Sequence, residues 1–81
     1  MIETTLGIEG MACSMCEAHV NDAIRRHFDV RSAKSSRRRR RCVVVSEEPL
    51  DEGLVRSVIS GAGYELTSME SVPYRRRRLF G

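Results

Sequence analysis

Residues 4–28 read TTLGIEGMACSMCEAHVNDAIRRHF. Up to Glu9, polar residues alternate with apolar or small ones, which is the pattern of a β-strand. Gly10 ends that pattern. Ser14, with Glu17 three residues later, predicts a capping box that begins a helix. The helix carries an apolar stripe at helical spacing, made by Cys16, Val20, Ala23, Ile24 and Phe28.

The rest of the chain is predicted to form one further helix and three further strands. We predict a weak strand over 30–36, a turn at Arg37–Arg41, a β-branched strand over 42–45, a helix that Gly61 ends, and a last strand over 63–67. The order β-α-β-β-α-β predicts an α+β fold, a ferredoxin-like open-faced sandwich with two helices on one face of a four-stranded antiparallel sheet. We assign residues 1–68 to this domain and residues 69–81 to a basic, flexible tail.

Composition and charge place the chain among ordinary small globular proteins. It has 81 residues, 41% of them apolar and 31% charged, which is enough for one modest core. No apolar run approaches the roughly 20 residues of a membrane span, and the N-terminus has no secretory signal. We therefore expect a cytoplasmic protein without membrane insertion. Thiols stay reduced in that compartment, so three cysteines favour metal or redox chemistry over disulfides.

The pair Cys13 and Cys16 is the motif to which a chemistry can be attached. Two thiols three positions apart can converge on one ion when the first lies in a loop and the second in the opening turn of a helix. The positive end of the helix also stabilises a thiolate. Thiolates are soft ligands that suit Cu(I) and Zn(II). The alternative is a redox dithiol, although a thioredoxin-like site would require an adjacent Trp, which the chain lacks.

From about Thr4 to Leu66 the sequence resembles the heavy-metal-associated domain family of copper chaperones and of metal-transporting P-type ATPases. The resemblance is carried by residues 10–16 (GMACSMC), by the apolar spacing of the helix that follows, and by residues 61–65 (GAGYE). It implies the same fold, a Cu(I) ion bound by two cysteines, and no catalytic activity. It also implies that Met11 packs under the metal loop and that Tyr64 lies beside it.

The resemblance implies which metal and which partner to expect. Zinc-selective members tend to carry Asp just before the first cysteine, where this chain has Ala12. We therefore favour Cu(I), with Zn(II), Hg(II) and Cd(II) as alternatives. The expected partner is a metal-transporting P-type ATPase or a similar metal-binding domain. The apo protein is expected to be a monomer, and a metal-bridged dimer is a second form to test.

Three other side chains have the chemistry of a metal ligand but are not predicted to bind the ion. His19 follows Cys16 by three positions and is predicted to be an exposed polar residue that points away from the loop. Met15, between the two cysteines, is predicted to be exposed without binding metal. Cys42 is predicted to be a small strand residue, with a role in a metal cluster or a dimer as the alternative.

The net charge of +3 is produced by two arginine runs, 37–41 and 75–78. They hold nine of the fourteen Lys and Arg residues, so five basic residues face eleven acidic ones elsewhere. Arginine tolerates positive φ poorly, so a loop longer than two residues is expected in the first run. Strand directions place that run at the metal end and the second at the opposite end. The first run is a candidate docking surface, formed by Arg37, Arg38, Arg39, Arg40 and Arg41; a solvated turn is the alternative. An arginine-rich module that binds polyanions is the alternative function, although nucleic acid is not expected as its ligand because no strand carries stacking aromatics.

Overall fold

A computed structural model describes residues 1–74 and contains the six predicted elements in the predicted order. They are β1 (Ile2–Glu9), α1 (Ser14–His27), β2 (Ser32–Ser36), β3 (Arg41–Ser46), α2 (Glu52–Gly61) and β4 (Glu65–Pro73). The strands form one antiparallel sheet in the order β2-β3-β1-β4. The ferredoxin-like α+β prediction is confirmed. No helix among residues 1–74 is long and apolar enough to cross a membrane.

The core lies between the sheet and the two helices. In β1 every second residue is buried, as the alternation predicted, and Leu6 and Ile8 have no exposed surface. Val20 and Ile24 of α1 are equally buried against them. Burying such a side chain contributes about 1.5–3 kcal/mol. β1 occupies the middle of the sheet, and the chain leaves it through Gly10, so the cysteine loop begins at the end of a strand paired on both sides.

β4 is longer than the sequence predicted. It pairs with β1 from Glu65 opposite Glu9 to Pro73 opposite Ile2, so the chain remains in the sheet for five residues beyond the predicted boundary at 68. Most of these residues are exposed, because β4 is an edge strand held by backbone pairing more than by burial. Hydrophobic alternation is therefore weak there. The run 75–78 lies outside the described residues.

The beginning of α1 differs from the predicted capping box. Cys13 is the N-cap residue, Ser14 is the first helical residue, and the cap makes no side-chain hydrogen bond. The Glu17 carboxylate instead accepts a hydrogen bond from the backbone N–H of Arg37, over 2.6 Å. Glu17 thus bonds to Arg37 instead of to the start of its own helix. The result ties the helix to the β2–β3 connection.

The β2–β3 connection is the longer loop that the arginine run predicted. It consists of residues 37–40, because Arg41 already belongs to β3. Arg40 has a φ of 56°, the only positive value at a non-glycine residue within residues 1–74. β2 itself begins at Ser32 rather than at residue 30.

Candidate metal centre

The two cysteines of the motif lie together at one end of the molecule. Cys13 precedes α1 and is exposed, whereas Cys16 lies in the first helical turn and is half-buried. Their sulfur atoms are 3.6 Å apart. The carbonyl of Cys13 accepts hydrogen bonds from the N–H groups of Cys16 and Glu17, over 3.0 and 3.3 Å. The helix thus fixes Cys16, and Cys13 lies at the helix N-cap. Both thiols can therefore reach one ion.

The Cys16 thiol is disposed to ionise. Its pKa is lowered from 9.0 to about 7, first by the side-chain hydrogen bond with Tyr64 and then by backbone hydrogen bonds with Ala12 and Cys13. Each of these bonds stabilises the anion more than the thiol. Because the thiolate is the form that binds soft metals, a substantial fraction of Cys16 is ready to bind at neutral pH.

Tyr64 lies beside the cysteines, where the family resemblance implied it. The bond to Cys16 and partial burial raise the pKa of the Tyr64 hydroxyl to about 12, so it remains a donor. Its ring packs against the core. His19 is exposed, as predicted, but its Nδ1 lies 3.3 Å from the Tyr64 hydroxyl and the two rings meet edge to face. His19 is therefore the neighbour of the site that we missed; the signal was its position one helical turn after Cys16.

Two residues before the cysteines shape the loop. Met11 is partly buried and packs against the core. Gly10 has a φ of +107°, and a Cβ atom at that position would lie 3.2 Å from Cδ1 of the Tyr64 ring. Only glycine adopts such a backbone conformation readily. Gly10 thus lets the chain turn closely past Tyr64.

The connection between β2 and β3, residues 37–40, forms an arginine loop. It lies at the same end of the molecule as the two cysteines, as strand directions predicted. Arg40 accepts a backbone hydrogen bond from Ile8 over 2.8 Å, near the end of β1. Its guanidinium pairs with Glu9 at 3.7 Å. Arg37 pairs with Glu17 at 3.6 Å, one residue after Cys16. The loop is thus attached to both elements that flank the metal loop.

The ligand set within residues 1–74 is small. In that part of the chain, no group of three or more His, Cys, Asp and Glu side chains is placed to hold one ion. Cys42 is completely buried in the core, its sulfur 3.9 Å from Asn21 Oδ1, and burial raises the pKa of its thiol. The described residues therefore bring two cysteine thiols together without a third side chain placed to join them.

The sequence model of the heavy-metal-associated domain matches residues 5–65. The chain belongs to this family. A copper binding domain from HMA7, a P-type ATPase, is 27% identical with a TM-score of 0.72, and the match covers 90% of this chain and 96% of that one. Oxidized MerP from Ralstonia metallidurans CH34 is 25% identical with a TM-score of 0.69, covering 83% and 96%.

A further similar structure shows the fold alone. The N-terminal domain of ZntA in the Zn(II)-form is 24% identical with a TM-score of 0.72, and the match covers 82% of this chain and 89% of that one. Heavy-metal-associated domains are metal-binding and chaperone modules for soft metals. Both a copper binding domain and a Zn(II)-form occur among the similar structures.

Replacing Tyr64 by Phe in this heavy-metal-associated domain is expected to raise the pKa of Cys16 from about 7 toward 9.0, because the largest stabilising bond to the thiolate is lost. Alkylation of Cys16 at pH 7 should then slow several-fold, because a smaller fraction of the thiol is ionised. The rate of iodoacetamide alkylation against pH, in a Cys13→Ser background, measures this. Tyr74→Phe, at the far end of β4, is the control. An unchanged profile in Tyr64→Phe would remove Tyr64 from the site.

Proposed function

We propose that this domain is a Cu(I) carrier that passes its ion to a metal-binding domain of a P-type ATPase by thiolate ligand exchange. The observation that carries the proposal is the pair of sulfur atoms 3.6 Å apart, on an exposed loop and an adjoining helical turn. A permanent structural site is typically closed by four ligands. An exposed two-thiolate site leaves room for an acceptor's thiolate to approach.

The ligand set supports Cu(I) over Zn(II). Zinc sites are almost always four-coordinate and accept carboxylates or imidazoles. The described residues provide no such third or fourth group, and Ala12 stands where zinc-selective members of the family tend to have Asp. Two soft thiolates suit Cu(I), and they also suit Hg(II) and Cd(II), which remain alternatives to Cu(I) together with Zn(II).

The two cysteines have different parts in ligand exchange. Cys13 is exposed at the helix N-cap, whereas Cys16 is held by the helix and bonded to Tyr64. One thiolate of the acceptor forms a bond to Cu(I) as the Cys13 bond breaks, and a second acceptor thiolate then replaces Cys16. The oxidation state of the ion does not change. The same exposure would allow two copies to share an ion, so the proposed apo monomer can form a metal-bridged dimer.

A redox dithiol is the second candidate, because a pair of close thiols with one lowered pKa can also form a disulfide. A carrier has to keep both thiols reduced in the cytoplasm, where we place it. The dithiol reduction potential separates the candidates. A potential near that of the catalytic oxidoreductases, together with reduction of a test disulfide at catalytic rates, would favour the redox function.

An anaerobic competition titration tests the proposed metal. The reduced protein is titrated with Cu(I), Zn(II), Hg(II) and Cd(II) against chelators of known affinity. We expect one Cu(I) per chain and tighter binding of Cu(I) than of Zn(II). Tighter binding of Zn(II), with extra ligands detected by X-ray absorption, would contradict the assignment of the cargo.

Replacing Cys42 by Ser is expected to leave the Cu(I) affinity within a factor of about ten of the wild type, that is about 1.4 kcal/mol. The Cys42 sulfur lies in the core beside Asn21 and its thiol is harder to ionise, so it has no part in the two-thiolate site. Chelator competition measures the affinity, and circular dichroism checks the fold. A larger loss in a folded variant would show a third thiolate in the site.

A further inference from the structure

The arginine loop contains two groups of residues that the sequence does not distinguish. Arg37 and Arg40, at its two ends, are paired with carboxylates: Arg37 with Glu17 of α1 and Arg40 with Glu9 of β1. Hydrogen bonds of the backbone attach the same two residues: the Arg37 N–H donates to the Glu17 carboxylate, and the Arg40 carbonyl accepts from the Ile8 N–H. These contacts hold the ends of the loop against the elements that flank the cysteines.

Arg38 and Arg39 form the tip of the loop. Both are exposed, and neither pairs with a carboxylate among residues 1–74. The backbone N–H of Arg39 donates to Ser36 Oγ over 3.3 Å. A pair of adjacent charges is thus presented to solvent at the end of the molecule that carries the exposed Cys13.

We propose that the arginine loop is a docking element in which Arg37 and Arg40 clamp the loop to the metal end while Arg38 and Arg39 contact an acidic surface of the domain that receives the metal. This inference rests on the proposed carrier function and specifies its partner surface. An acceptor must bring its own thiolates to Cys13, so it approaches the end where the tip lies. Charges at that position steer association.

Local charges favour an acidic protein surface over nucleic acid. Glu17 and Glu9 pair with Arg37 and Arg40, which leaves only the two tip charges for a phosphate backbone that follows the loop. The sheet residues next to the loop on the open face, such as Val43, Lys34 and Arg41, include no aromatic side chain on which a base could stack. A compact acidic patch of a folded partner needs only the exposed tip.

The first test removes the tip charges. Arg38→Gln/Arg39→Gln is compared with Arg25→Gln/Arg26→Gln, which removes the same charge from exposed residues in the last turn of α1, about 14 Å along the helix from Cys16. The probe is the metal-binding domain of the copper-transporting P-type ATPase from the same organism. At about 20 mM salt we expect Cu(I) transfer to slow about fivefold in the tip variant, and much less in the control, with convergence at about 500 mM. Equal rates in the two variants at low salt would overturn the proposal.

The second test releases the clamp. Glu17→Ala raises the net charge from +3 to +4, so charge alone predicts faster docking onto an acidic domain. The clamp predicts slower docking, by about threefold at low salt, with faster hydrogen exchange at the Arg37 amide. Glu17→Gln keeps an oxygen acceptor for that amide and should recover much of the rate. Faster docking by Glu17→Ala would overturn the clamp.

Two controls separate this inference from the carrier function and from nucleic-acid binding. Docking of the apo protein to the same domain, followed by amide chemical shifts, requires no metal; shifts centred on 38–39 support the surface even if the cargo is another ion. Shifts at the Arg25/Arg26 end would overturn it. A 20-base-pair DNA duplex is the second probe. Binding to it at about 150 mM salt that depends on Arg38 and Arg39, with no docking to the protein domain, would also overturn it.

Discussion

Replacing either Cys13 or Cys16 by Ser is expected to weaken Cu(I) binding at least about a thousandfold, or about 4 kcal/mol. The two sulfur atoms are 3.6 Å apart and, among the described residues, no third group is positioned to compensate. A serine hydroxyl is a hard, neutral ligand that replaces a soft thiolate poorly. The remaining cysteine holds the ion through one bond, and weak competitors then remove it.

The measurement is competition with a Cu(I) chelator under anaerobic conditions. Cys42→Ser is the matched control, because it makes the same atomic change at a buried cysteine outside the pair. Circular dichroism of the Cys13 and Cys16 variants should match the wild type, since Cys13 is exposed and Cys16 is only half-buried; for Cys42→Ser, a change in the core, it checks that the variant is folded. Wild-type affinity in Cys16→Ser would show that the ion is held elsewhere.

Replacing Gly10 by Val is expected to lower the free energy of unfolding by about 3 kcal/mol and to displace Tyr64 from Cys16. Gly10 has a φ of +107°, where a β-branched side chain is strongly disfavoured, and its new Cβ would press on the Tyr64 ring from 3.2 Å. The backbone strain at residue 10 and the close contact with the Tyr64 ring both destabilise the folded state. The Cys16 pKa should then rise, because its main hydrogen bond is lost.

Urea denaturation measures the loss of stability, and thiol alkylation against pH measures the effect on Cys16. Gly61→Val is the control. Gly61 ends α2 without a positive φ, and a Cβ there would meet nothing within 4 Å. The same substitution should therefore cost little at Gly61. Equal losses at both positions would mean that the Gly10 turn is not the source of the strain.

The sequence predicts the fold correctly where buried side chains recur with the period of a strand or a helix. Leu6 and Ile8 point into the core from alternate positions of β1, and Val20 and Ile24 follow helical spacing, so both elements were predicted with the right type. The sequence predicts too short a β4 because most residues of its outer half are exposed. Backbone pairing with β1 holds it, and such pairing leaves no hydrophobic pattern to detect.

Contacts between distant parts of the chain account for what the sequence could not predict at the site. The sequence predicts that Glu17 caps its own helix, but Glu17 bonds to Arg37, 20 residues away. His19 was placed away from the metal loop, but it meets Tyr64, 45 residues later. The arginine loop was placed correctly from strand directions. Its division into paired ends and an exposed tip depends on where Glu9 and Glu17 lie in the folded chain.

β2 and β4 are the two edge strands of the sheet, and this position affects self-association. An open strand margin can recruit a second copy by continuing the sheet. Here β2 has only five residues and carries Lys34, while β4 carries Glu70 and ends at Pro73, features that disfavour such continuation. We therefore expect two copies to meet at the end that exposes Cys13. Association would then depend on the metal supply and would reverse when the ion is removed.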